Sequence, residues 1–397
     1  MKYITRTVWV LSCISLFTDM ASEMLYPILP SYLKSIGFSV ILIGVLEGIA
    51  EATAGLSKGY FGKRSDVSGK RVPFVQLGYT LSAVSKPMMA LFIFPLWIFF
   101  SRTLDRLGKG IRTGARDALL SQEATEQDKG KIFGLHRAMD TLGAVIGPAM
   151  ALMYLYFFPE DYRTLFFIAF VPGVLAVLTS SFLRDQKKKI PGKEKKSVPF
   201  FSFLNYWKAS PPIYRKLVIG LLAFALINSS DVFLLLKAKE AGLDDTAVVG
   251  VYIFYNLVYA LFSFPVGAIA DKIGLRTMFI IGLGLFAIVY LGMGLSNNTY
   301  IVTAMFFLYG IYAAANEGIS KAWISNISEK RDTATAIGTY AGFQSICTMA
   351  ASATAGLIWF QFGAAMAFMV TGAITMVIIC YFIVFVVPVK SKMQIGQ

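Results

Sequence analysis

Twelve apolar stretches joined mostly by short connections constrain this chain more than any other feature. They lie near 7–34, 39–61, 73–93, 95–119, 131–157, 164–183, 216–237, 246–270, 275–295, 300–325, 333–360 and 364–387. A helix needs about 20 apolar residues to cross the hydrocarbon core, where only helices and closed barrels satisfy their backbone. The pattern predicts an all-α membrane protein with 12 transmembrane helices, consecutive ones antiparallel because their connections are short. The chain is 56% hydrophobic and 15% charged. Soluble domains carry about 25% charged residues, so a large soluble helical protein accounts poorly for this balance.

The formal net charge of +14 would suggest nucleic-acid binding in a soluble protein. Here the basic residues gather in a few loops, and no nucleic-acid partner is expected. Lys63, Arg64, Lys70 and Arg71 separate the second and third segments, Lys272 and Arg276 the eighth and ninth, Lys330 and Arg331 the tenth and eleventh. Residues 184–216 hold ten Lys or Arg against Asp185 and Glu194, while connections 3–4, 9–10 and 11–12 are almost uncharged. By the positive-inside rule both termini and the long middle loop are cytoplasmic, in the plasma (bacterial inner) membrane. Lys2 and Arg6 before the first apolar run resemble a signal peptide, but Asp19 and Glu23 interrupt that run. It reads as a retained first helix. Residues 184–215 read as a solvated basic linker touching anionic lipid, with "FFSFLNYW" (200–207) lying flat at the interface. They separate a bundle over 1–183 from one over 216–397. Cys13, Cys347 and Cys380 sit in apolar segments and read as packing residues, and His136 is the single histidine. No metal site and no cofactor is expected.

The two halves repeat. "GKRSDVSGKR" (62–71) matches "GAIADKIGLR" (267–276) at an offset of 205 residues, both of the form G-x-x-x-D-x-x-G-x-R. "GKGIRTG" (108–114) is echoed by "ANEGISKA" (315–322) in the fourth segment of the other half. A parallel repeat of six helices implies a pseudo-twofold axis along the membrane normal, with a transport site between the halves.

This organisation resembles the major facilitator superfamily over nearly the whole chain. The duplicated loop, with Gly62, Asp66, Gly69 and Arg71 and again Gly267, Asp271 and Arg276, resembles the family's motif A. The resemblance implies that its acid latches the inner gate in one state. Val67 stands where the family usually has a basic residue and Lys272 keeps it, so the first latch is expected to be the weaker. Arg106-x-x-Lys109-Gly110 resembles motif B, whose arginine the family implicates in proton transfer. Lys109 and Arg112 replace a usual glutamine and a small residue and make the site more basic. Gly134, Gly143, Gly147 and Pro148 in the fifth segment resemble motif C of drug/proton antiporters, though Ala151 and Leu152 replace its closing glycines. That implies export.

"SRTLDRLGKGIRTGARDALLSQ" (101–122) carries seven charges from Arg102 to Asp117, summing to +3. At about 100° per residue they fall within an arc of roughly 140°, over a rise of about 21 Å. A charge at the bilayer centre must face protein or water, so this face points into the bundle or a cavity. Asp19, Glu23, Glu47, Glu51, Lys86, His136, Arg137 and Asp140 supply partners in the first half, and Asp231, Glu317 and Lys321 in the second. Paired charges that only fix helix packing explain Arg116 and Asp117 best. Asp19, Glu23, Arg102, Asp105, Arg106, Lys109, Arg137, Asp140, Asp231 and Glu317 are the candidates for binding substrate or protons. An anionic or zwitterionic substrate follows from the basic face, held by Arg102, Arg106 or Lys109. Aromatics such as Tyr252, Tyr255, Tyr259, Tyr309 and Tyr312 would meet an apolar portion, and Asn228 and Asn256 would add hydrogen bonds. The expected protein is a monomeric, proton-driven exporter of a small amphipathic anion. The alternative is an uptake symporter for an organic anion, metabolite or metal-chelate. A membrane-embedded enzyme finds little support: no P-loop or metal-ligand cluster occurs.

Overall fold

The computed structural model describes residues 4–26, 28–185 and 199–386, and no strand occurs among them. The first bundle contains α1 (Arg6–Leu25), α2 (Leu29–Ser35), α3 (Val40–Ser68), α4 (Val72–Leu91), α5 (Pro95–Glu123), α6 (Lys129–Phe157) and α7 (Tyr162–Ser180). A 3-10 turn (Phe200–Leu204) and the short α8 (Asn205–Ala209) follow. The second bundle contains α9 (Pro212–Ala225), α10 (Val232–Glu240), α11 (Asp245–Ile273), α12 (Leu275–Leu295), α13 (Thr299–Ile327) and α14 (Thr333–Phe385). The basic run 187–196 and the last residues from 387 lie outside the described residues. By length and composition alone, seven of the described helices are apolar enough to cross a membrane. The charges of α5 keep it out of that set.

Two expected single helices are each two helices here. The seventh segment stops at Ala225 and resumes at Val232. Between them lie Asn228, Ser229, Ser230 and Asp231, whose side chains compete with the helix for backbone partners; Val232 N–H donates to Ser230 Oγ at 3.4 Å. The first segment divides between Leu25 and Leu29, where the sequence supplies Pro27 and so no N–H to continue a helix. Conversely, the last two segments are the legs of α14, separated only by Gly363 at φ 84°, ψ 166°, a conformation open to glycine.

The duplication extends to turn chemistry. After α2 the chain turns at Gly37 (φ 93°), and after α10 at Gly242 (φ 98°), the same 205-residue offset. In both turns the glycine N–H and the next one return to helix carbonyls, to Lys34 and Leu33 in one and Lys239 and Ala238 in the other. Ser39 then caps α3 and Asp244 caps α11, accepting from Leu42 and Ala247 N–H. These are the C-cap glycine and N-cap side chain that close and open helices.

The bundles meet along two equivalent seams, α3 against α14 and α6 against α11. On the first, a Cβ at Gly62 would overlap the Ala334 carbonyl; on the second, one at Gly267 would overlap the Gly130 carbonyl. Small residues permit this backbone approach where lipid offers no hydrophobic drive to helix association. The apolar cores differ between halves. The second bundle has one continuous core that includes Phe224, Leu283, Phe286, Tyr290, Phe306 and Phe368. The first is split into a cluster around Met24, Leu46, Ile98 and Phe166 and another around Leu11, Ile14, Val75 and Leu119. A layer of charge occupies the gap.

The segment after the linker lies against the end of α3 that carries the basic loop. Phe203 is buried on Gly59, Phe200 rests on Tyr60 at 5.0 Å, and Lys63 Nζ donates to Ser202 O at 2.6 Å. Phe200, Phe201 and Leu204 are exposed on the other side, the two-faced arrangement expected of an interfacial piece.

Candidate functional site

The charge layer lines a cavity of ≈ 300 Å³ between the bundles, built from α1, α3, α4, α5, α6, α13 and α14. Among the described residues, nine lysines and arginines line it against five aspartates and glutamates. The α5 face predicted from periodicity is the centre of this wall, with Arg102, Asp105, Arg112, Arg116 and Asp117 all buried.

Most of its charges are paired inside the first bundle. Arg102 grips Glu47 with two hydrogen bonds of 2.7 and 2.9 Å, and Arg106 lies 3.3 Å from Glu51 and 3.8 Å from Glu47. Asp105 receives Lys86 Nζ at 2.8 Å and Ser82 Oγ at 2.5 Å, and Arg102 lies 3.5 Å away. Asp140 is paired with Arg137 at 2.6 Å and accepts from Ser15 Oγ. Pairing of this density is what makes buried charge tolerable.

Other contacts cross between bundles. Arg137 reaches Glu317 at 3.0 Å, Lys321 reaches Asp117 at 3.0 Å, and Asp117 also holds Arg116 at 2.9 Å. Lys58 Nζ donates to Ser345 Oγ at 2.8 Å and Tyr252 Oη to Glu23 at 3.2 Å. Thus Asp19, Glu23, Arg102, Asp105, Arg106, Lys109, Arg137, Asp140 and Glu317 all line one cavity. Asp231 is not among its lining residues. It sits at the α9–α10 break and accepts hydrogen bonds from Tyr255 at 2.5 Å and Tyr309 at 2.6 Å.

Three of the nine cations lining this cavity have no carboxylate within ion-pair distance among the described residues. Lys109 is exposed to the cavity, and Lys58 has only its serine. Arg112 is buried with its guanidinium 4.5 Å above the Tyr79 ring, and its Nε and Nη1 have no hydrogen-bond partner. Sequence reasoning passed over Lys58. The signal was present, since Glu47, Glu51 and Lys58 fall within about 40° of one another on a helix.

A second, mostly apolar cavity of ≈ 340 Å³ adjoins the first and shares Tyr26, Leu29 and Arg102 with it. Leu33, Ile43, Val232, Leu235, Val248 and Tyr252 line it, on the parts of α1–α3 and α10–α11 remote from the basic loops.

At the basic-loop end the bundles are closed by the duplicated motif. Asp66 accepts from Thr335 N–H at 2.7 Å and its hydroxyl at 2.8 Å, capping α14, while Arg71 holds the same carboxylate at 2.9 Å. Arg71 also donates to Ala118 O at 3.0 Å. Asp271 accepts from Gly130 N–H at 2.7 Å and Lys131 N–H at 2.9 Å, capping α6. Each acid therefore satisfies free N–H groups at a helix start in the opposite bundle, where negative charge is also favoured. Arg276 instead donates to the carbonyls of Phe382 and Ile383. The expected ranking is reversed in geometry: the first copy, with its internal ion pair, is the more fully bonded latch. Gly69 (φ 69°) and Gly274 (φ 96°) end the helices that carry the two acids. Gly143 and Gly147 have a different task. A Cβ on Gly147 would lie 2.5 Å from Met20 O and one on Gly143 2.8 Å from Met20 N, so they press α6 onto α1 inside one bundle and seat Asp140 beside that helix. Pro148 lies within α6 one residue later.

The family model of the Major Facilitator Superfamily matches residues 11–255 and 238–396. The chain is 32% identical over 364 residues to an uncharacterised MFS-type transporter of Methanocaldococcus jannaschii, covering 90% of this chain and 89% of that protein. It is 26% identical over 211 residues to the quinolone resistance protein NorA of Staphylococcus aureus, a match that spans 52% of this chain and 53% of NorA. Its fold is similar to that of the human organic anion transporter MFSD10, with a TM-score of 0.79, 17% identity, and coverage of 95% of this chain and 99% of that one. The E. coli fucose:proton symporter FucP is similar at a TM-score of 0.77 and 10% identity, over 98% of this chain and 100% of FucP. With two duplicated six-helix bundles around a charged cavity and a family match across nearly its whole length, this chain belongs to the major facilitator superfamily of membrane transporters.

Proposed function

We propose that this protein is a proton-coupled secondary transporter that exports a small amphipathic organic anion by alternating access. The observation that carries this reading is the pair of adjoining cavities, one rich in unpaired cations and one apolar. A molecule with an anionic head and an apolar body satisfies both at once, whereas a simple cation would face the excess positive charge. The closed seam at the basic loops, with the apolar cavity away from it, corresponds to an outward-facing state of a multi-pass protein with both termini cytoplasmic. We read it as a monomer, with no enzymatic step required. The likeness of MFSD10, an organic anion transporter, and of NorA, a resistance protein, supports the substrate class and the direction. Motif C supports export too.

Asp19, Glu23 and Asp140 are the proton-carrying candidates, with Arg137 and Glu317 exchanging partners as the bundles rock. Arg106 positions Glu47 and Glu51. Proton-coupled efflux from inverted vesicles tests the reading; transport indifferent to collapse of the pH gradient would overturn the coupling. A ligand-specific thermal shift that survives Arg106→Ala unchanged would separate Arg106 from substrate binding.

One observation favours a second reading, proton-coupled uptake. Among the described residues Asp19 and Glu23 have no ion-pair partner, and they share the cavity with the unpaired cations. Neutralising either acid removes repulsion of an anion, which couples the two in the same direction; FucP is a proton symporter. Proton uptake on anion binding favours this reading, and proton release favours export by exchange.

A further inference from the structure

We infer that Lys58, Lys109 and Arg112 form a preformed anchor for a doubly charged oxyanion, the phosphate-monoester class, at the floor of the charged cavity. The inference rests on the anion-transport reading above and narrows its substrate.

The obvious anion binders, Arg102 and Arg106, are already engaged by Glu47 and Glu51. Releasing either would strand a buried carboxylate or guanidinium, which is strongly unfavourable. Lys58, Lys109 and Arg112 carry no such debt. Arg112 is only 5% exposed, yet its Nε and Nη1 have no partner. Buried donors of a charged group are rarely left unsatisfied. Tyr79 supports the guanidinium from one side, fixing its plane without using its N–H groups.

The backbone sets Lys58 beside Lys109, with Arg112 on the other flank of α5, and all three line the one cavity. Gly110 on α5 is packed so closely on α3 that a Cβ there would lie 3.0 Å from Ala54 O and 3.4 Å from Lys58 N. Lys109 and Lys58 therefore project from neighbouring points on two helices. On the other flank, a Cβ at Gly78 of α4 would lie 2.7 Å from Arg112 Cβ, which holds that residue's helix against α4. Ser345 on α14 fixes Lys58 Nζ from the opposite bundle. With Asp19 and Glu23 protonated, these three cations, which have no carboxylate in ion-pair range among the described residues, exceed what a monocarboxylate neutralises. A phosphate monoester, with a charge near −2 and three acceptor oxygens, matches the charge and supplies acceptors for the orphaned N–H groups.

Isosteric probes separate charge from shape. Purified full-length protein in detergent is titrated with phenyl phosphate, phenyl sulfate and benzoate at pH 8 by isothermal calorimetry, using wild type, Lys109→Gln and Arg112→Gln. Size-exclusion profile and unliganded melting report folding, and Lys109 faces the cavity, so its variant keeps the test valid if Arg112→Gln misfolds. Expected is tighter binding of the phosphate than of the singly charged sulfate by about tenfold or more, and loss of that preference in either folded variant. Equal affinity for phosphate and sulfate, or a preference unchanged in Lys109→Gln, overturns the anchor while leaving anion transport standing. Failure of all three anions to bind overturns the underlying anion reading as well. Lysophosphatidate in mixed micelles gives the source of the phosphate: tighter binding than phenyl phosphate assigns a lipid headgroup, and weaker binding a soluble ester. Both support the anchor.

Discussion

Neutralising Asp66 should open the basic-loop end of the protein. Asp66 is 5% exposed and makes two kinds of bond. Its ion pair with Arg71 lies inside the first bundle and persists in any rigid-body motion of that bundle. Its bonds to the Thr335 N–H and hydroxyl cross to the second bundle and exist only while the seam is closed. Only the second kind sets the balance between states. A hydrogen bond to a charged acceptor contributes about 1.5–3 kcal/mol, against about 1 kcal/mol for a neutral one. In Asp66→Asn the amide oxygen keeps one neutral bond and the second is lost, so the closed state loses about 2–5 kcal/mol. That is a shift of about 30- to 4,000-fold in population, at about 1.4 kcal/mol per tenfold. Spin labels on cysteines at Arg64 and Arg331, both exposed at this end, in a background lacking Cys13, Cys347 and Cys380, report the distance across the seam. Asp66→Asn should lengthen its distribution. Thr335→Val removes the hydroxyl but keeps the N–H, and should produce a smaller shift in the same direction. A distribution unchanged in Asp66→Asn refutes the claim that this acid holds the bundles together.

Asp271→Asn should act in the same direction through the Gly130 and Lys131 N–H groups, and distances between labels on the α6 and α11 ends check it. Gly147→Val places a side chain 2.5 Å from Met20 O, and should lower stability by about 1–3 kcal/mol as α6 is forced off α1; thermal unfolding measures it. Asp140→Asn leaves Arg137 with Glu317 as its remaining ion pair, and should cost about 1–3 kcal/mol. Glu317→Gln removes a pair whose acid is 47% exposed, and should cost less than about 1 kcal/mol. The same melting assay ranks the two, and the reverse order would contradict the pairing described.

Some of this was legible in the sequence because it is local and periodic. Apolar length reveals helices one at a time, since a membrane demands that each span satisfy its own backbone. The 205-residue offset showed the duplication, and the 3.6-residue period turned an apparent charged loop into one face of α5. The short, polar run before Asp231 contained the signal for the α9–α10 break, but averaging over an apolar stretch hid it.

What tertiary structure decided is which charges find partners. Arg102, Arg106, Lys109 and Arg112 share one charged arc of the helical wheel, and nothing within α5 says which of them is paired. Glu47 and Glu51 on α3 engage the first two, while no carboxylate from any described helix comes within ion-pair distance of the last two. Lys58 joins them because Gly110 lets α3 and α5 touch there. Likewise Val67 suggested a weak first latch, but Asp66 reaches across to Thr335 and back to Arg71. A sequence specifies each helix through short-range backbone and solvation terms. Pairing between charges far apart along the chain depends on where the folded helices place them, and only the packed bundles set those distances.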